Sequence, residues 1–344
     1  MIAYMPTIYP DELVYSWFCR YYVHSGCFSH KTVLQELYCK KSDYLSKEFI
    51  GNLNNEALEQ IGEIYSLDKL VLDHTMYPQY ARFVPLTEKK EALYRLGHDS
   101  CDVHRLFPVL PRNDGERYLR YCPLCVKRDR ETYGEAYWHR KHQIRNMSIC
   151  VEHKCRLMES SVPAKSEQSF TFCPAENYTY DREVVFENDL SVIQYMEYLV
   201  SVFDSVMDFD NDIPISSILY NGMSRTKYLK PSGRSRYTKM LADDMNEFYR
   251  NMGICNVASV YQIQRVLLEN LYDFSAVCQI AFYLGMGAEE LTASTLTKEQ
   301  IQQEQDSHYM RNTVPVDWEL LDRGTAPVLE KVVKAVYDGT ANEN

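Results

Sequence analysis

The sequence predicts a mainly α-helical, multi-domain protein with a small inserted module built on paired cysteines. Three observations lead there. Apolar residues three and four apart mark helices near the N-terminus and through the C-terminal half, extended-looking pieces are short and confined to the middle, and two tight pairs, Cys122-Pro-Leu-Cys125 and Cys150-Val-Glu-His153, stand 24 residues apart. At 344 residues the chain is long enough for two or three domains with cores of their own, and its 45% hydrophobic and 25% charged content is ordinary for a globular protein.

Pro10-Asp11-Glu12-Leu13 reads as a helix start in which a proline and two acids complement the dipole, and Leu13, Trp17 and Tyr21 then give one apolar-aromatic face that ends at Ser25-Gly26. Ser29 caps a second helix through Val33, Leu34 and Leu37, and further helical pieces are expected over 44–53 and 55–65. Residues 74–85 read as a proline-punctuated aromatic connector, better suited to packing on helices than to forming one. Residues 134–143, between the two ligand pairs, read as a short helix with Trp138 packed inward and Arg140 and Lys141 facing outward. Residues 160–188 form a polar loop with extended pieces at 169–172 and 183–186, in which Cys173 lacks a partner cysteine nearby.

A helix follows from Leu190 through Val206, and the acidic run 208–212 is a solvated loop that marks a domain boundary. Beyond it a basic stretch leads into a helix carrying Met240, Met245 and Phe248. Ala281, Gly285 and Leu291 have helix-turn-helix-like spacing; a helical hairpin within a core has the same spacing, and Glu289 and Glu290 favour it by sitting where a recognition helix would meet phosphates. An amphipathic helix is expected over 327–337. The domains expected are 1–105, N-terminal helical; 106–160, the module built on the paired cysteines; 161–212, connector and helix; and 213–344, C-terminal helical and a candidate DNA-binding region.

The net charge of −11 argues against a protein that coats nucleic acid indiscriminately. The charge is uneven, however. Arg225, Lys227, Lys230, Arg234, Arg236 and Lys239 form a basic island without an acid and with Tyr228 and Tyr237 interleaved, a pattern that reads equally as a solubilising loop or as a contact to DNA phosphates. There is no secretory h-region and no apolar run of membrane-spanning length, which points to a cytoplasmic protein. The eleven cysteines are odd in number and mostly scattered, so reduced thiols are expected. No phosphate-binding glycine loop, nucleophile elbow or HExxH motif occurs, and the chain does not read as an enzyme.

Cys122, Cys125, Cys150 and His153 offer three thiolates and one imidazole, a donor set suited to one tetrahedral Zn²⁺. Four protein ligands leave no open position for water, so such a zinc site is structural. Cys155, His139 and His142 are competing donors.

In order and spacing, Pro10-Asp11-Glu12-Leu13-x-Tyr15-Ser16-Trp17, His74-Thr75-x-Tyr77-Pro78, Tyr121-Cys122-Pro123-x-Cys125, Gly134-Glu135-x-Tyr137-Trp138-x-Arg140-x-His142-Gln143 and Cys150-x-x-His153 resemble the TniQ/TnsD family of transposon target-selection proteins. The resemblance covers roughly the first 160 residues. It implies a non-enzymatic, TnsD-like adaptor that recognises double-stranded target DNA and recruits the AAA+ regulator TnsC, or, in TniQ-like members, one that rides on a CRISPR effector. It implies the zinc ligands Cys122, Cys125, Cys150 and His153, and points to the helix bearing Asp11, Tyr15 and Trp17 as the region that meets TnsC. Candidate DNA contacts are Arg140, Lys141, Arg225, Lys227, Lys230, Arg234, Arg236 and Lys239. Two departures stand out: Arg145-Asn146 where the family often has Pro-Gly, with Asn tolerating a left-handed turn, and Lys154 where a glycine is usual.

Overall fold

Fourteen α-helices and four short strands make up the described part of a computed structural model, which covers residues 4–39, 46–51, 53–98, 106–107, 117–164, 171–229 and 237–292. The chain divides by its internal contacts into 1–228 with 237–296, and 229–236 with 297–344; every element described below belongs to the first. The expected helix at 327–337 lies outside the described residues.

Helix α1 (Val14–His24) buries residues 14–21 almost completely, with Trp17 at its centre donating Nε1–H to Pro6 O at 2.5 Å. The expected acidic first turn is not there. Leu13 is the N-cap, Glu12 forms an isolated antiparallel bridge with His139, and Asp11 has a left-handed φ of 57°. The cause is a tertiary bond: Leu13 N–H donates to Trp138 O at 3.0 Å, which holds the chain extended until Leu13. The helix ends at Ser25, followed by Gly26 at φ 68°, as expected.

Helix α2 (His30–Leu37) follows Ser29, and α3 (Asn55–Ile64) is capped by Asn54, whose Oδ1 accepts from Ala57 N at 2.8 Å. The helix expected over 44–53 does not form in its described part. Residues 47–49 bend, Leu53 bridges Tyr38, and Glu48 O accepts from Met76 N, so this backbone bonds to neighbouring elements instead. After α4 (Leu67–His74), the expected connector contains the short helix α5 (Tyr77–Ala81); Pro78 stands in its first turn, where a missing N–H costs nothing. Helix α6 (Leu86–His98) packs on α4 and α5.

In the middle, β1 (Tyr118–Tyr121) pairs antiparallel with β4 (Met158–Pro163) and closes the base of a module. Within it lie α7 (Pro123–Tyr133) and a two-residue hairpin of β2 (Ile149–Cys150) and β3 (Cys155–Arg156). The helix of this module therefore precedes residues 134–143. Gly134, at φ 85°, stops α7; residues 136–138 run on without helix, and only Lys141–Gln143 make a 3-10 turn. Helix α8 (Ala175–Tyr178) interrupts the expected polar loop.

The C-terminal half is α9 (Leu190–Asp204), α10 (Ile215–Ser224), α11 (Thr238–Asn251), α12 (Val260–Leu267), α13 (Phe274–Tyr283) and α14 (Ala288–Thr292). Asp273 and Ser259 cap α13 and α12 through their side chains, Ser259 in a full capping box. The turn through Gly285, at φ 73°, sends α14 back onto α9, with Ala281 and Leu291 buried, so the helix-turn-helix spacing builds a hairpin within the core. Gly222 of α10 abuts the Met286 side chain so closely that a Cβ would collide with its sulfur. One hydrophobic cluster runs from Leu13 to Leu291. Among the described residues, no helix is long and apolar enough to cross a membrane.

A buried charge network supports the start of α1. Arg20 reaches Glu12 Oε2 and Glu135 Oε1, both at 2.8 Å, donates to Thr7 O, and lies over the Tyr9 ring. Burial pushes the Glu12 carboxyl up to about 7, against the pull of Arg20. A carboxyl with a raised folded pKa binds its proton more tightly when folded. Its stabilising contribution is therefore complete below its ordinary value of 4.5 and is lost as pH rises through about 7. Relative to Glu12→Gln, the wild-type protein should lose about 2–3 kcal/mol of unfolding free energy between about pH 5 and pH 8. Parallel curves for the two proteins in urea melts would refute this assignment.

Candidate metal centre and its surroundings

Two knuckles converge on one point. In the first, Cys122 follows β1 and acts as N-cap of α7: its Sγ accepts from Cys125 N at 3.4 Å, and Pro123 begins the helix. This turns both thiols toward the same side. In the second, β2 ends at Cys150, the turn 151–154 presents His153, and Lys154 closes it at φ 52° with its N–H donating to Cys150 O at 2.8 Å. Lys154 thus occupies the left-handed position that a glycine would fill at lower cost. Asn146 does the same at φ 61°.

His153 Nδ1 lies 3.5, 3.3 and 3.6 Å from the sulfurs of Cys122, Cys125 and Cys150. The Cys125 and Cys150 sulfurs are 3.7 Å apart, and all four ligand atoms fall within 4.8 Å of one another. A tetrahedron with metal–sulfur bonds of about 2.3 Å and a metal–nitrogen bond of about 2.0–2.1 Å has edges of about 3.8 and 3.6 Å. The cluster therefore has the dimensions to hold a metal ion. The three cysteines are buried, while His153 is half-buried.

The competing donors sort themselves by geometry. His139 Nε2 donates to the buried Asp129 carboxylate at 2.7 Å and its ring stacks on Tyr137. His142 Nε2 is 3.7 Å from Cys125 Sγ, and burial lowers this imidazole to about 4, keeping it neutral. Cys155 Sγ is 3.4 Å from Cys122 Sγ but stands outside the four-ligand set. Cys173 is elsewhere; its carbonyl accepts from Trp138 Nε1 at 2.8 Å.

The outward placement expected of Arg140 is corrected. Its guanidinium is buried, with Nη1 donating to Leu72 O at 2.6 Å, Asp11 and Asp204 each at 3.4 Å, and the Phe203 ring beneath it. Of the two, Lys141 is the one that reaches the surface, paired with Asp204 at 2.7 Å. Tyr15 and Trp17 are likewise fully buried, and the Tyr15 hydroxyl accepts from Cys173 N at 3.0 Å, so they pack α1 from inside. Asp11 is half-buried, bonding Arg140 and the Lys141 N–H.

In the basic island, Arg225 pairs with Glu290 and Lys227 with Asp244, while Lys239 is exposed in the first turn of α11. Lys230, Arg234 and Arg236 lie outside the described residues. The polar residues that sequence reasoning missed are Arg20, Glu135 and Asp129. Their partners are remote in the chain or hidden by the fold, and only Glu135, within the Gly-Glu-x-Tyr-Trp motif, carried a signal.

Fold and site together define a helical protein scaffolded by a buried cluster of three cysteines and one histidine. Residues 3–157 match the model of the TniQ family. The chain is 32% identical over 152 residues to the Transposon Tn7 transposition protein TnsD of Escherichia coli, a match that takes in 43% of this chain and 30% of that protein. Over this N-terminal segment the chain is similar to the TniQ/TnsD family.

The two neighbouring cations should respond differently to truncation. Arg140→Met leaves Asp11 and Asp204 without their buried partner and should cost about 3–5 kcal/mol. Lys141→Met, at a half-exposed pair, should cost less than about 1 kcal/mol. Equal and small losses in chemical denaturation would mean that Arg140 faces solvent after all.

Proposed function

We propose that this protein is a non-enzymatic target-site selector of Tn7-like transposition, which recruits the AAA+ regulator TnsC to an attachment site. The observation that carries this reading is the TniQ match over residues 3–157, joined to the likeness to TnsD. Because that match takes in 30% of TnsD, the division of labour between the N- and C-terminal halves is part of the proposal. The matched segment ends close to the boundary expected near residue 160, while the hydrophobic cluster from Leu13 to Leu291 packs it together with the helices that follow.

The metal is zinc on this reading, held by Cys122, Cys125, Cys150 and His153. A closed set of three soft thiolates and one imidazole suits Zn²⁺ and supplies folding energy, not a reactive water. Purified protein should carry one zinc per chain. Cys125→Ser should abolish it and lower the melting temperature; full stability without metal would remove the assignment.

Double-stranded target DNA is the proposed ligand of the basic island, with Arg225, Lys227, Lys239 and the undescribed Lys230, Arg234 and Arg236 as contacts. Arg140 leaves this set because it is buried, and Lys141 remains at its edge. The helix after Asp11 stays the region proposed to meet TnsC, through its surface residues. A second reading, an adaptor that links a CRISPR effector to TnsC, is favoured by one observation: Lys141, Arg225 and Lys227 are each paired with an acid, which weakens the positive field. On either reading the protein works in the bacterial cytoplasm, at the nucleoid when DNA-bound.

Gel-shift titration on attachment-site DNA separates the two. Direct binding should weaken with salt at a slope of about −0.9 per phosphate neutralised, and the combined substitutions Arg225→Glu, Arg234→Glu and Arg236→Glu should reduce that slope by about 2–3. No affinity at low salt, with TnsC still retained in pull-downs, would support the effector-linked reading. Loss of both interactions would overturn the proposal.

A further inference from the structure

The metal centre contains one more thiol than it needs. Cys155 is fully buried, its sulfur is 3.4 Å from that of Cys122, and it stands directly opposite Cys150 in the β2–β3 hairpin. Residues directly opposite in an antiparallel pair project to the same face, with Cα atoms about 4.5–5.5 Å apart. Cys122, Cys125, Cys150 and Cys155 accordingly pack as a cluster of their own, separate from the main core, with Leu124, Leu157 and Val184 around it. His153, in contrast, is the one half-exposed member of the four-ligand set and sits in the turn between the two strands.

We infer that Cys155 is a reserve metal ligand. When the His153 imidazole leaves, the Cys155 sulfur takes its coordination position and converts a site of three thiolates and one imidazole into a site of four thiolates. In that exchange the bond from His153 Nδ1 to the metal breaks, a bond from Cys155 Sγ forms, and the thiol proton passes to solvent. The distance supports it: at 3.4 Å from Cys122, the Cys155 sulfur already lies within the tetrahedral sulfur–sulfur edge of about 3.8 Å. The three buried thiols of the strand and knuckles stay fixed, and the turn carrying His153 becomes free to change its contacts without metal loss. His142 is the rival reserve, at 3.7 Å from Cys125, but it sits on a 3-10 turn where the next residue, Gln143, bonds both N and O of Arg120.

This inference rests on the zinc reading, and metal content separates the two. Wild-type protein without metal would remove the zinc reading itself. With metal in the wild type, His153→Ala should retain about one ion per chain, Cys155→Ser should also retain it, and the double variant should lose it. Reconstituted with Co²⁺, His153→Ala should show sulfur-to-metal charge transfer raised from the three-thiolate to the four-thiolate intensity, and Cys155→Ser should stay at three. A His153→Ala protein that is metal-free, whether folded or not, would overturn the inference. So would metal that survives His153→Ala with Cys155→Ser but is lost with His142→Ala.

Discussion

Everything in the N-terminal half hangs on the antiparallel contact between residues 11–13 and 138–140. Leu13 N–H bonds Trp138 O at 3.0 Å, Arg140 N–H bonds Asp11 O at 2.7 Å, and Trp138 N–H returns to the Ser16 hydroxyl at 3.0 Å. His74 Nδ1–H adds a bond to Glu12 O at 2.8 Å, which ties in the end of α4. Most of these groups are buried, so an unmade bond would expose its partner to the full desolvation penalty. The contact joins two sequence motifs more than a hundred residues apart, Pro-Asp-Glu-Leu and Tyr-Trp-His-Arg. The knuckles on either side of 134–143 fix where the second motif lies, and α1 is seated on it.

Charge follows the same plan. Arg20 and Arg140 are drawn inward by Glu12, Glu135, Asp11 and Asp204, acids that an exposed charge pattern would assign to solvent. Arg20–Glu135 and Arg140–Asp11 lock the contact between the start of α1 and 134–143, and Arg140–Asp204 ties it to α9. At the surface the opposite happens: Lys141, Arg225 and Lys227 meet acids in half-exposed pairs, where screening leaves little net stabilisation and the cations can exchange partners. A phosphate competes with such an acid far more easily than with a buried one.

The ligand set and helices α1, α2, α3, α9 and α11 are legible in the sequence because their signals are local. Knuckle spacing and the glycine that ends α1 are decided by a few neighbouring residues. What stays hidden depends on partners elsewhere. The extended 11–13 segment has the composition of a helix start, and nothing nearby reveals Trp138 as its bonding partner. Arg140 looks exposed because neither Asp204 nor Phe203 is near it in sequence, and the short α5 is masked because Pro78 marks both a connector and a helix's first turn. Tyr15 and Trp17 stand out as motif residues for their burial, which sequence alone does not distinguish from contact with a partner.

The two-knuckle module is the scaffold that seats α1, so removal of the proposed zinc should loosen two places at once. Hydrogen exchange by mass spectrometry, with and without a chelator, reads this directly. Chelation should deprotect residues 11–17 together with 136–140, although α1 contributes no ligand. Deprotection confined to 120–157, with 11–17 unchanged, would contradict the account.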